Sequence, residues 1–235
     1  MAVIPARGFD SATTPLASNP TLNLTAPSGE AGDLMVLGVL LASNQPRPED
    51  LTVSLAQSGW VLAGETAGTG PAGVRHIVWY KTAETGSEPI TVNFVGPSRV
   101  RAIASVARYT PHTVTAVKYR GVYGVFTPNH MLPGDAAWSD VSYLAVYTSG
   151  AGSSPTTIDP ITLQNEHIFP TGVGGEVLRV AFASGTSIDA GQEESPGSNT
   201  YRFGNVGPVS SLPDESVVWA LVLEPVGACR LSTLL

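Results

Sequence analysis

Short apolar runs separated by glycine- and proline-rich breaks fill this chain, and inside most runs hydrophobic and polar positions alternate with a period of two. That spacing sends alternate side chains to opposite faces of an extended backbone, so it predicts strands rather than helices. Leu22 and Leu24 alternate with polar neighbours in 21–26, Leu51, Val53 and Leu55 do so before Gly59, and Ile90, Val92 and Phe94 do so in 90–94. Between Arg75 and Thr82, Ile77, Trp79 and Lys81 fall on one side, with Val78 and Tyr80 on the other. The run 34–41 breaks the alternation because both faces are apolar, which predicts a strand lying between two layers. Further strands are expected over 99–109, 140–148, 158–163, 201–206 and 217–223, with exposed connections at 149–157 and 184–200.

One phrase occurs twice. Gly32-Asp33 heads the apolar run 34–43 and Gly175-Glu176 heads a similar run at 177–184; a later small-residue run follows each, 102–107 in the first case and 217–223 in the second. The repetition predicts an all-β fold, an antiparallel β-sandwich of jelly-roll type with two related halves, either as one compact unit or as two packed lobes. The first 20 residues, punctuated by Pro5, Pro15 and Pro20, read as an extended N-terminal arm. The sandwich is expected over 21–225, with a first half at 21–113, an insertion at 114–155 and a second half at 156–225, and 226–235 reads as a C-terminal tail. The insertion is aromatic and β-branched at first, then broken by Pro128, Pro133 and Gly134.

Composition supports this picture. With 25 Gly, 19 Pro and only 13% charged residues, the chain suits many strands joined by tight turns. A single cysteine, Cys229, allows no internal disulfide and gives no cysteine-based zinc site. The N-terminus lacks a basic segment followed by an apolar stretch, and no run approaches the roughly 18 apolar residues of a membrane span. Synthesis in the cytosol is expected, with no membrane insertion. The net charge of -7 is uneven: residues 1–120 carry 9 basic and 8 acidic side chains, residues 121–235 carry 3 and 11. An acidic protein has little attraction for phosphate backbones, so nucleic acid is not an expected partner.

Gly32-Asp33-Leu34-Met35-Val36, Gly59-Trp60-Val61-Leu62, Trp79-Tyr80-Lys81-Thr82-Ala83, Ser87-Glu88-Pro89-Ile90-Thr91-Val92 and the run 102–109 occur in that order. In this the chain resembles a β-sandwich module of tailed-bacteriophage virion proteins, of the kind seen in minor tail and other surface appendage proteins. The similarity spans most of 20–225 and lapses between 114 and 155. It implies a non-enzymatic virion structural protein, a minor tail or externally displayed subunit, made in the bacterial host cytoplasm and carried on the particle. Its implied partners are other virion proteins, further copies of itself and a host-surface glycan. Alternatives are a carbohydrate-binding host-attachment module, a capsid decoration protein and, behind these, a polysaccharide-cleaving enzyme.

Chemistry-bearing motifs are sparse. His76, His112, His130 and His167 stand too far apart for a metal-binding phrase, no Gly-x-Ser-x-Gly elbow or phosphate-cradling loop occurs, and no cofactor is expected. Asp189, Glu193 and Glu194 lie close together, but in a polar connection where solvation accounts for them. Catalytic, cofactor and metal residues are therefore not assigned. Aromatic and basic residues gather in the middle of the chain, and Tyr119, Arg120, Tyr123, Phe126 and His130 are the candidate contacts for a glycan or a neighbouring subunit.

Overall fold

The computed structural model describes residues 4–43, 50–67, 74–124, 129–133, 142–149, 162–170, 177–186, 200–204 and 214–226, with several strand positions after residue 117 described by backbone alone. Among the described residues there is no α-helix, and all strand pairs are antiparallel. The strands are β1 (Ala6–Ser18), β2 (Thr21–Thr25), β3 (Leu34–Ser43), β4 (Thr52–Leu55), β5 (Val61–Ala67), β6 (Val74–Thr82), β7 (Pro89–Val95) and β8 (Arg99–Tyr109). After these come β9 (His112–Gly124), β10 (Asn129–Pro133), β11 (Ser142–Ser149), β12 (Thr162–Pro170), β13 (Val177–Thr186), β14 (Thr200–Gly204) and β15 (Asp214–Pro225).

They form a five-stranded sheet β1-β8-β3-β6-β5, a three-stranded sheet β2-β7-β4, a second five-stranded sheet β12-β13-β11-β15-β9 and the pair β10-β14. The first five-stranded sheet is central. On β3, Leu34, Val36 and Leu40 face the second five-stranded sheet, where they meet Leu144, Val146, Val180, Phe182, Trp219 and Leu221. Met35, Leu37, Val39 and Leu41 face the three-stranded sheet and meet Leu22, Leu24, Ile90, Val92 and Phe94. Every residue of β3 is buried, as its unbroken apolar run predicts.

The two five-stranded sheets have the same strand order. In each, the earliest strand of the set pairs with the latest, the second earliest lies at the centre, and the remaining two fill the far side. This order pairs β3 with β11 as equivalents, not with β13, although the twice-used apolar phrase lies on β3 and β13. Both strands of the phrase are internal to a sheet and almost wholly buried, so their shared wording reports burial and not position. The expected insertion at 114–155 supplies most of β9, together with β10 and β11, and two of these belong to the second five-stranded sheet.

The expected arm at 1–20 is, from Ala6 to Ser18, the edge strand β1, in register with β8. Phe9 projects from it into the inter-sheet core, 6.4 Å edge-on from Tyr109 and 5.9 Å from Phe182. Pro15 is tolerated because it sits within a register shift on an edge, where a missing N–H breaks no ladder. A buried polar link joins the two large sheets, His76 Nδ1 lying 2.8 Å from Thr148 Oγ1, and the segment before β1 is tied to the second sheet by the Ile4 amide donating to Ser184 Oγ at 3.2 Å and by part-buried Gln164 donating to the Ile4 carbonyl at 2.8 Å.

Register shifts occur in β1–β8, β5–β6, β12–β13 and β9–β15, the pairs that hold the edge strands of the two large sheets. The internal pairs β3–β6, β3–β8, β11–β13 and β11–β15 run in continuous register. Bulges twist an edge and make it a poor template for another strand, so the irregularity sits where it hinders open-ended pairing.

The two large sheets approach closely at Gly38, where a Cβ would lie 2.8 Å from Val180 Cγ1 and 3.1 Å from Val146 Cγ1. Gly38→Ala is expected to cost about 1–3 kcal/mol by overpacking. Urea unfolding would read this as a lower midpoint at unchanged slope, and an unchanged midpoint would refute close packing of the sheets there.

Candidate functional site

Three charged residues that the fold buries, Asp33, Lys81 and Arg108, gather at one end of the layer between the central and three-stranded sheets; a fourth, Arg179 on β13, pairs with Glu166 of β12 at 3.2 Å in the second five-stranded sheet. Arg108 on β8, Met35 on β3 and Lys81 on β6 stand opposite one another in register, and Asp33 immediately precedes β3. The period of two turns these side chains towards the same core as Val106 and Trp79. They close its mouth, where the β2–β3 and β6–β7 connections cross.

Arg108 is fully buried and uses all five guanidinium N–H donors. Its Nε donates to Asp33 Oδ2 at 3.0 Å, Nη1 to the carbonyls of Pro27 and Gly86 at 3.0 and 2.8 Å, and Nη2 to those of Glu30 and Thr85 at 2.6 and 2.8 Å. One side chain thereby holds both connections. Arg7 on β1 grips Asp33 from the other side, Nε to Oδ2 at 2.9 Å and Nη2 to Oδ1 at 3.2 Å, and reaches Glu30 at 3.4 Å. The Glu30 amide adds a 2.8 Å bond to Asp33 Oδ2. Gly29 lies against the pair so closely that a Cβ there would overlap Asp33 and the Arg108 guanidinium.

Beside this clasp, buried Lys81 pairs with Glu84 and Glu88, each at 2.9 Å, and Glu88 also accepts the amides of Glu84 and Thr85. Burial alone would push the Asp33 and Glu88 carboxyls up, but their cations and amide donors outweigh it and hold both below the ordinary carboxylate range. Burial would likewise depress the Lys81 ammonium, and its two carboxylates instead raise it. The groups are therefore locked in their charged forms at neutral pH. Such an arrangement cross-links the β2–β3 and β6–β7 connections.

Two shallow clefts flank the cluster. One, of about 460 Å³, is lined by Pro5, Arg7, Ser28, Glu30 and Thr110; the other, of about 430 Å³, by Gln57, Ser58, Lys81, Glu84 and Glu88. Among the described residues no group of three or more His, Cys, Asp or Glu side chains is placed to hold a metal ion.

The contacts expected from sequence are positioned by backbone alone. Tyr119, Arg120 and Tyr123 lie on β9, opposite Trp219, Val218 and Glu215 of β15, at an edge of the second five-stranded sheet. His130 lies on β10 opposite Phe203, and Phe126 falls outside the described residues. The side chains of all five, together with Asp189, Glu193, Glu194 and Cys229, lie outside the described residues. Of the other histidines, His112 Nδ1 lies 2.9 Å from the Thr110 carbonyl, and burial pushes His167 down, opposed in part by Asp10.

The clasp was missed by sequence reasoning, which used Asp33 only to mark a repeat and, within 32–36, a family resemblance. The available signal is a lone charge within an otherwise buried run: Asp33 before 34–43 and Arg108 inside 102–109.

Arg108→Met should destabilise the fold by about 3–5 kcal/mol, because it takes one of two cations from Asp33 and the donors from four loop carbonyls, and adding Asp33→Asn should recover part of that loss. Thermal unfolding of the two variants tests this; equal stability of Arg108→Met and the parent would refute the clasp. Because Asp33 and Glu88 titrate lower folded than unfolded, their stabilisation is complete above about pH 5 and is lost as pH falls through and below about 4. Lys81 acts at the other end, its contribution falling away as pH rises past about 10.4. Unfolding midpoints across pH should therefore drop in acid, less steeply in Asp33→Asn.

Comparison of the chain with protein-family models, with curated proteins and with solved structures returned no match.

Proposed function

We propose that this protein is a structural subunit of a tailed-bacteriophage virion, a minor tail or other externally displayed component with no catalytic role. The observation that carries this reading is the strand order. In β1–β8, the run β1-β8-β3-β6 faces β2-β7-β4, the arrangement of eight strands folded back in two Greek keys, with β5 added to the outside of β6. In β9–β15, β9-β15-β11-β13 with β10-β14 repeats the scheme less the equivalent of β4. This supports two jelly rolls in tandem whose large sheets share one core, the two-halved sandwich that the resemblance implies.

A subunit of this kind works by being stiff and by presenting fixed surfaces. Central-sheet burial on both faces supplies the stiffness, and the clasp at Arg108 fixes two connections at one end. Irregular edges favour contacts through faces and ends over strand addition, which suits closed assembly with further copies and with other virion proteins. The chain would be made in the host cytoplasm and then incorporated.

Particles produced from the genome that encodes the chain supply the test. Mass spectrometry of purified virions should find it at a fixed ratio to the major tail protein, and antibody-gold labelling should mark the tail. Label on the head would favour a capsid decoration protein instead, and a chain absent from purified particles would overturn the virion reading.

A further inference from the structure

The solvent face of the three-stranded sheet carries an uncharged, hydroxyl- and amide-rich lattice. Residues 22, 24, 90, 92 and 94 turn inward, so Thr21, Asn23 and Thr25 of β2, Thr91 and Asn93 of β7 and Ser54 of β4 turn outward. Register sets them in ranks: Thr21, Asn93 and Ser54 in one, Asn23 and Thr91 in the next. In a chain of net charge -7, none of these outward positions holds a charged side chain. Charge reaches the face at its rim, where Asp10 accepts the Thr25 amide at 2.8 Å and where Glu84, Glu88 and Lys81 line a cleft with Gln57 and Pro89.

The polar groups are also pre-set. Thr21 Oγ1 donates to Asn93 Oδ1 at 3.1 Å and Thr91 Oγ1 to Asn23 Oδ1 at 3.1 Å, which fixes both amide planes; Gln57 Oε1 accepts the Thr91 amide at 2.8 Å. Amides held this way lose little freedom when they bind a further partner. At the two ends of β7, Pro89 and Val95 are exposed, the latter at 56%.

We propose that this face binds a neutral polysaccharide. A pyranose chain offers hydroxyl edges to amides and hydroxyls and C–H faces to small apolar residues, and it carries no charge that would need a counter-ion. Among the described residues this outward face offers phosphate-bearing and acidic polymers no cation, and a protein partner would want a larger apolar centre. The site is distinct from the aromatic positions on β9 and independent of whether the chain is carried on a virion: failure to bind would leave the particle location standing, and absence from particles would leave this surface as described.

Retention of the full-length chain on columns of immobilised glucan, mannan, galactan or xylan tests the proposal, with alginate as the anionic counterpart. The expected result is retention on at least one neutral column, equal at about 0.05 and 0.5 M salt, since no ion pair is involved. Asn23→Ala with Asn93→Ala should weaken it by about tenfold or more. Ser54→Arg, which adds bulk and charge to the face and removes no cross-strand bond of the Thr–Asn pairs, should do the same with the unfolding midpoint unchanged. Passage through all four neutral columns without delay would overturn the proposal, as would retention that high salt abolishes or that folded Ser54→Arg keeps in full.

Discussion

Two-sided burial of the central sheet is the constraint on which the rest of the molecule rests. A sheet with cores on both faces can carry almost no polar side chain along its middle, and β3 accordingly has none between Leu34 and Ala42. Apolar burial of about 25 cal/mol per Å² on each face supplies the drive. The same constraint sets the spacing of the layers. At Gly38 the backbone itself forms the contact surface, and the second five-stranded sheet settles onto it through Val146 and Val180.

Charges that the core excludes from its middle collect at its mouth. Arg108 continues the inward face of β8, but the loops above it offer four carbonyls and the Asp33 carboxylate, so its desolvation is compensated donor by donor. A buried ion pair of this kind adds less net stability than its Coulomb energy suggests, because both ions surrender water. Its larger effect is geometric. The β2–β3 and β6–β7 connections are tied to one side chain, and the polar end of the layer takes a single shape.

With core and mouth so arranged, the surfaces left for recognition differ in kind. The edges of the large sheets are irregular wherever an edge strand pairs, which discourages strand addition. The outer face of the three-stranded sheet is regular, neutral and held in place by its own Thr–Asn bonds. The proposed assembly role would use these fixed faces, and the polar face of the three-stranded sheet would remain for the polysaccharide proposed to bind there.

The period of two, the breaks at glycine and proline, and the unbroken apolar run of β3 were legible from residue order alone, because each reflects a local choice between water and core. Strand class and two-sided burial of β3 follow from them. Position in the sheets does not: β3 and β13 share a phrase but hold different places, since burial imposes the same composition on any strand enclosed in this way. That Pro15 lies in an edge strand, that residues from the 114–155 segment build the second sheet, and that Arg7, Asp33 and Arg108 meet across 26 and 75 residues of chain were settled only by tertiary pairing. Long-range partners are chosen by which surfaces fit, and no local pattern of hydrophobic and polar residues records that choice.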